Sequence, residues 1–547
     1  MDRNYTGFLT ALALSSLILG FHTILFTSIN DIDIGDLGLV NRMPLSYWAG
    51  LLLIFPIIYF GRESRNTLVS GLILTAVYLY VIPFLVRNPV WLSNSYYPFG
   101  EGVIISRQGH LVKSSDKIIT SYQDWPIFLY LTSMFLLITD IPQVYILKAF
   151  PLFFIAMYAS IIFLLLKQKF NSTYSLIGVL WFIASFWIRQ YYFGPPGLSY
   201  VYLLLTIYII LKIYFYQDAP SSPDRRGSLS FISVLLYFTL TATHLLTTLF
   251  ALLFVSSIYL IDRYYRKIVS TNIKTLNMIF IVILVAYNTL SVQNVLVKIV
   301  FREFFLAEPF RIYQESGRII GTTDMLINYF STWAIIIING LAALLMVNRV
   351  RAEKNRHPQN LLYLVFLFLI GIFAVVGRYG SNEAYQRAFM FGLIPLSYLS
   401  LEALKNQKRA LVLIISALIL LNIPAQYGAD AFRLATEPQL EGSRYFAEKV
   451  PENVNVLTKF TLYFRYYAPE KKVRVVGYGS FPFTSNIISS EIEEALGHSD
   501  YYVDSLLLSK YYGYYLGEDP LENVGTYYFD RVYDNTEYTI YKTSRMR

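Results

Sequence analysis

PIFLYLTSMFLLIT, residues 126–139, decides the topology of this chain. The stretch is apolar, but a helix needs about 20 such residues to cross about 30 Å of hydrocarbon. Counted as a crossing, it would turn over every later loop. KQK at 167–169, DRRG at 224–227, RYYRK at 263–267 and NRVRAEKNR at 348–356 would then all face outward. Read instead as a helix lying at the outer surface, with the N-terminus inside, it puts nineteen basic and seven acidic residues in the inner loops. That surplus of twelve exceeds the whole-chain charge of +9. Cytoplasmic loops of membrane proteins carry this excess of Lys and Arg. The basic balance therefore reports orientation in a membrane, and nucleic acid is not a partner it calls for.

Outward from that stretch, apolar windows fall near 8–29, 45–60, 67–86, 143–166, 174–188, 198–215, 229–243, 245–261, 275–291, 326–347, 361–376, 388–404 and 410–424, thirteen in all. The chain has 547 residues, of which 55% are hydrophobic and only 15% charged. A soluble domain carries about 25% charge. Forty-seven Tyr and forty Phe suit long membrane–water boundaries, where amphipathic rings settle. There is no Cys, which excludes disulfides, Cys-ligated metal and a thiol nucleophile.

Residues 1–424 thus read as a multi-spanning membrane domain with long outer loops at 87–142 and 292–325. Residues 425–547 read as an extracytoplasmic α/β domain. This tail alternates strand-like runs (VNVLTKF, VRVVGYG, TIYK) with helix-like ones (GSRYFAEKV, ISSEIEEAL). It holds 17 acids and 13 bases, a solvated balance.

The loops are unequal. Inner ones are short and basic, while outer ones are long and hold most of the ionisable side chains that are not flank charges. A transporter more often shows ionisable groups or broken helices at mid-membrane. Here the middles of the spans are nearly free of charge, which points to work done at the outer face.

Within 87–142, Pro98 begins a short helix that places Glu101 near its positive end, where a carboxylate stays ionised. Such a carboxylate serves as a general base, as a ligand for Mg²⁺ or Mn²⁺, or only as a partner of the helix dipole. Asp124, in Asp124-Trp125-Pro126, is either a second functional acid or the N-cap of a helix with Pro at its first position. Asp31, Asp33 and Asp36 in NDIDIGD offer hard oxygen ligands to the same cations, or form an ordinary turn. His244 stands alone between two spans at the outer surface, as a packing residue or a ligand contact. Arg378 and Arg387 flank GRYGSNEAYQR, and their forked donors suit phosphate, or else one of them pairs with Glu383.

Several segments together resemble one family. SNSYYPFGEGVIISRQGHLVK runs into SYQDWPIFLYLTSMFLLITDIP, and RQYYFGPPGLSYVYLLL enters a middle span. THLLTTLFALL, EAYQRAFMFGLIPLSYL and the tail segments FAEKVPENVNVLTK and FDRVYDNTEYTIYK complete the set. They resemble the GT-C superfamily, multi-spanning glycosyltransferases that take sugar from a polyprenyl-phosphate carrier. Within it they are most similar to archaeal and bacterial members related to protein mannosyltransferases. The resemblance implies an α-helical polytopic membrane protein of about 13 transmembrane helices, GT-C-like, with the small α/β domain outside. It implies inverting transfer of a hexosyl or mannosyl group from a polyprenyl-phosphate-linked sugar to a glycan or protein acceptor at the outer membrane face.

On that reading Glu101 is the base, with Asp124 a second acid or metal ligand. Arg107, His244, Arg378 and Arg387 bind substrate, and Asp33 and Asp36 hold any Mg or Mn. The chain departs from the family in one place. Asn94-Ser95 stand where an acid is usual, and Asn cannot act as a base. Either Glu101 or Asp124 takes over, or the chain is an inactive relative. Two other readings share the many-span shape. An O-antigen-type ligase or polymerase would join whole oligosaccharides, and a transporter or flippase would yield no covalent product.

Overall fold

Residues Ile127–Ile138 form a helix of twelve residues, about 18 Å long and too short to cross a bilayer. One face, Phe128, Leu129, Thr132 and Ser133, is buried, while Met134, Leu137 and Ile138 are exposed. An apolar exposed face on so short a helix suits the boundary between water and lipid. The length of this helix agrees with the expectation that the stretch is not a crossing.

In the computed structural model the described residues are 3–29, 38–87, 95–111, 123–139, 141–215, 223–267, 271–290, 323–352, 357–376, 383–428, 436–458, 467, 473–476, 499–505, 529–535 and 538–543. The helices are α1 (Arg3–Phe26), α2 (Leu45–Gly61), α3 (Arg65–Leu85), α4 (Tyr96–Gln108), α5 (Ile127–Ile138) and α6 (Gln143–Lys167). There follow α7 (Ser172–Ser185), α8 (Pro195–Phe215), α9 (Pro223–Thr241), α10 (Leu245–Ile261) and α11 (Thr271–Leu290). The last are α12 (Thr323–Ala352), α13 (Pro358–Val376), α14 (Glu383–Leu404), α15 (Lys408–Tyr427) and α16 (Glu437–Lys449).

Every one of the thirteen apolar windows falls on a helix. Ten helices among the described residues are long and apolar enough to cross a membrane: α1, α3, α6, α8 and α10 to α15. The remaining three windows form the shorter helices α2, α7 and α9. The chain is a multi-pass membrane protein.

Helix α7 shows how a short apolar helix is accommodated. Fourteen residues cover only about 21 Å. Its last carbonyls would be left bare in a medium that cannot hydrogen-bond them. They are capped from other helices instead. Tyr80 Oη donates to the carbonyls of Ile183 and Phe186 at 2.6 and 2.7 Å. Asn422 Nδ2 donates to Ala184 O at 3.0 Å, and Gln426 Nε2 to Phe186 O at 3.0 Å. The non-helical stretch 186–194 that follows is largely buried, with Phe186, Tyr191 and Phe193 in the core. Trp181 anchors the same helix, its Nε1 donating to Asn339 Oδ1 at 2.8 Å.

The described residues fall into two compact units. One holds Met1–Thr27, Asp36–Val86 and Ala149–Ala429; the other holds Ser28–Gly35, Arg87–Lys148 and Asp430–Arg547. In the second unit a five-stranded sheet has the order β2-β1-β3-β5-β4. Its strands are β1 (Val454–Thr458), β2 (Val473–Val476), β3 (Tyr501–Ser505), β4 (Phe529–Asp534) and β5 (Tyr538–Thr543). β1 pairs in parallel with β2 and β3, and β5 pairs antiparallel with β3 and β4. Helix α16 starts with a capping box between Thr436 and Gln439 and covers the sheet. Phe446, Val450, Val456, Val503 and Ile540 form the core between them. The small α/β domain read from the tail is present. The helix-like run ISSEIEEAL lies outside the described residues.

Candidate functional site

Helix α4 begins at Tyr96, so Glu101 stands in its second turn rather than beside its positive end. This corrects the expectation that Pro98 begins the helix. The first four N–H groups of a helix have no partner within it, so Pro98 fits inside the first turn without breaking it. Another group therefore holds the Glu101 carboxylate. The side chain is buried, and Gln123 Nε2 donates to its Oε2 at 2.9 Å. Gln123 lies 22 residues along the chain, and no local pattern marks it as the partner.

Gly102 makes this burial possible. A Cβ there would run into the side chain of Thr132, so only glycine lets α4 lie this close to α5. Thr132 is held in place by its own bond to Phe128 O at 2.8 Å.

Pro126 holds the N-cap position of α5, and Asp124 stands half-exposed two residues upstream. Beside it, the buried Trp125 Nε1–H finds no acceptor among the described residues. Arg107 occupies the last turn of α4, exposed, where a cation favours the negative helix end.

The same unit carries the tail, and Tyr97 and Tyr538 report the link between the loop and the sheet domain. Burial raises the pKa of the Tyr538 phenol above its ordinary value, and the Tyr97 phenol adds to the rise.

The membrane unit holds the second constellation. His244 occupies the N-cap position of α10, and Arg387 lies one turn into α14. The structure brings them together, with Arg387 Nη1 at 3.4 Å from His244 Nε2. Burial, and after it the Arg387 charge, pushes the His244 pKa down to about 3. The imidazole is therefore neutral at any physiological pH. His244 Nδ1 lies 2.9 Å from Thr247 Oγ1, and Thr247 Oγ1 lies 3.0 Å from Ser199 Oγ on α8. Tyr200 Oη donates to Met390 O at 2.9 Å, tying α8 to the turn of α14 just past Arg387. Trp187, in the non-helical stretch before α8, packs its ring against Phe389. Ser199, Thr247 and Trp187 are residues the sequence reading missed. The available signal was a hydroxyl three residues after a lone His at a helix start.

Arg378, Asp33 and Asp36 lie outside the described residues, as does most of the loop 292–325. Among the described residues no group of three His, Asp or Glu side chains gathers as a metal site. Glu101, bonded to an amide donor, supplies one hard oxygen ligand and does not by itself fit a divalent cation.

No family model and no curated protein matches this sequence. Solved structures do match. The oligosaccharyltransferase of Archaeoglobus fulgidus, solved in complex with Zn and sulfate, aligns at a TM-score of 0.55 and 13% identity, over 87% of this chain and 73% of that one. The archaeal oligosaccharyltransferase AglB from the same organism, in complex with an inhibitory peptide and a dolichol-phosphate, aligns at 0.54 and 14%, over 89% and 75%. ArnT from Cupriavidus metallidurans, bound to undecaprenyl phosphate, aligns at 0.50 and 10%, over 87% and 97%. At such identities the likeness is one of fold alone.

Proposed function

We propose that this chain is a membrane glycosyltransferase. It moves a sugar, a hexosyl group such as mannosyl, from a polyprenyl-phosphate carrier to a glycan or protein acceptor at the extracytoplasmic face. The observation that carries this reading is the fold shared with AglB and ArnT over 87 to 89% of the chain. Structures of both hold a polyprenyl-type phosphate, dolichol-phosphate in one and undecaprenyl phosphate in the other. An A. fulgidus structure also carries a tethered acceptor peptide. The orientation is the one the basic loops require, with the N-terminus in the cytoplasm and the tail outside.

The chemistry follows from the groups available. The acceptor's oxygen or nitrogen attacks the anomeric carbon in one displacement, so the configuration inverts. The bond from that carbon to the phosphate oxygen breaks, and the carrier leaves as a phosphate. Arg387, whose guanidinium presents its donors in a fixed fork, stabilises that phosphate as charge develops. Glu101 accepts the acceptor's proton. Burial and the Gln123 amide fix the orientation of its carboxylate. Asp124 is the second acid. Arg107 and Arg378 assist on the substrate side, and Asp33 and Asp36 are the candidates for holding Mg or Mn. No step here is routed through a metal.

A transporter more often carries ionisable groups in mid-span. Among the described residues, ion pairs of the membrane unit sit at helix ends instead. Lys169–Glu402 and Lys408–Glu63 are two of them. The test is direct: membranes containing the chain are incubated with radiolabelled polyprenyl-phosphate-mannose and total acceptors, and products are identified by mass spectrometry. Transfer that is lost in Glu101→Gln and in Arg387→Ala supports the reading. A panel of labelled lipid-phosphate sugars giving no covalent product would sink it.

A further inference from the structure

The hydrogen bonds around His244 can be read in only one consistent direction. Ser199 Oγ lies 2.9 Å from the carbonyl of Pro196, which can only accept, so the single Ser199 hydroxyl proton goes there. Ser199 Oγ must then accept from Thr247 Oγ1 at 3.0 Å. That uses the single Thr247 hydroxyl proton, so Thr247 Oγ1 accepts in turn from His244 Nδ1 at 2.9 Å. His244 is thus protonated on Nδ1. A neutral imidazole carries one proton, and its Nε2 is left with a lone pair facing Arg387 Nη1. The competing arrangement has Thr247 N–H donating to Nδ1 over the longer distance of 3.4 Å. It would place an Nε2–H against a cationic donor. The short contact and the charge both select the first arrangement.

We propose that Ser199 and Thr247 set the tautomer of His244, and that His244 is a positioning residue that aims the Arg387 guanidinium at the carrier's phosphate. The device is a relay of fixed polarity running from the Pro196 carbonyl through two hydroxyls and an imidazole to the guanidinium. Its members come from three separate helices, α8, α10 and α14, so it also fixes the start of α14 relative to its neighbours. The anchoring of Met390 O by Tyr200 holds the same turn from the other side. A guanidinium that donates to a lone pair of fixed direction is restrained in the rotamer it takes. His244 supplies that restraint without contributing charge of its own. The inference rests on the reading of Arg387 as the phosphate contact.

Two measurements on the full chain in nanodiscs test it separately. The first is ¹⁵N spectroscopy of histidine-labelled protein, with the His244 signal assigned by its loss in His244→Asn. The expected spectrum shows protonated Nδ1 and bare Nε2, and Thr247→Val moves the proton to Nε2. A wild-type spectrum with the proton on Nε2 overturns the proposal, whatever Arg387 does. The second is binding of undecaprenyl phosphate. Arg387→Ala is expected to weaken it by about 10-fold or more, as for a lost charge-assisted bond. Thr247→Val is expected to weaken it by roughly 3-fold to 10-fold, with Thr247→Ser restoring it. If Arg387→Ala weakens binding and Thr247→Val does not, the relay is wrong and the phosphate reading stands. If Arg387→Ala leaves binding unchanged, the phosphate reading itself fails, and the spectrum alone then decides whether the tautomer is set as described.

Discussion

Gln123 Nε2 donates to Glu101 Oε2 at 2.9 Å, and both side chains are buried. One lies on α4 and the other just ahead of α5, so one polar bond ties these two segments together. A carboxylate oriented by an amide donor still has lone pairs that can take up a proton.

Glu101→Gln is therefore expected to lower transfer from the labelled donor by about 100-fold or more, the usual weight of a general base. Gln123→Ala removes one donor from the carboxylate, and about a 10-fold loss is expected, in line with one hydrogen bond to a charged group. Initial rates at saturating donor compare the two. Equal, wild-type rates in both would remove Glu101 from the reaction.

Gly102→Ala places a Cβ against Thr132. Overpacking of this kind costs about 1–3 kcal/mol. The Thr132→Ala partner should recover part of that loss, since it removes the atoms that clash. Thermal unfolding of the four members of this cycle gives the coupling, and simple additivity would show that α4 and α5 do not touch at this point.

His244 makes stability depend on pH. An unfolded histidine titrates near its ordinary 6.5, and burial, with the Arg387 charge, pushes His244 down to about 3 in the folded chain. Between those values the unfolded state binds a proton that the folded state does not, so stability falls as pH drops from about 6.5 to about 3. Above this window the neutral form is present in both states and the effect vanishes. His244→Asn keeps a capping side chain but cannot titrate. Its melting temperature should fall less steeply with acid than that of the wild type. Parallel curves would show that His244 is not the group responsible.

At the other end of α14, Glu402 is buried beside Lys169, 3.3 Å away, and Lys405, 2.8 Å away. Removing one partner from a buried pair costs about 3–5 kcal/mol, because the other charge is left in low dielectric. Glu402→Ala should approach the lower bound. Glu63→Ala, at an exposed pair with Lys408, should cost about 1 kcal/mol or less. Denaturation in mild detergent ranks them, and a reversed order would contradict the burial that separates the two pairs.

Much of the fold was legible because hydrocarbon is a strict solvent. Apolar windows such as 198–215 and 410–424 had no other place to go, and both are helices. The stretch Ile127–Ile138 forms a helix of twelve residues, shorter than a crossing needs. The site was less legible. Glu101 was singled out for a place at a helix end, and it stands instead in the second turn beside the buried Gln123 amide. Asp124 lies two residues ahead of the cap position, which Pro126 holds. Arg387 and His244 were each singled out, yet nothing local said that they meet, since 143 residues separate them.

The sequence by itself determined that the chain lies in a membrane, where its helices run and which loops are basic, because those follow from transfer free energies summed along short windows. Tertiary structure alone decided which polar groups face one another. The pairing of Gln123 with Glu101, the capping of the α7 carbonyls by Tyr80, Asn422 and Gln426, and the relay from Ser199 to Arg387 each join segments distant in the chain. Hydrogen bonds are short and directional, so they exist only once packing has brought their partners to within about 3 Å.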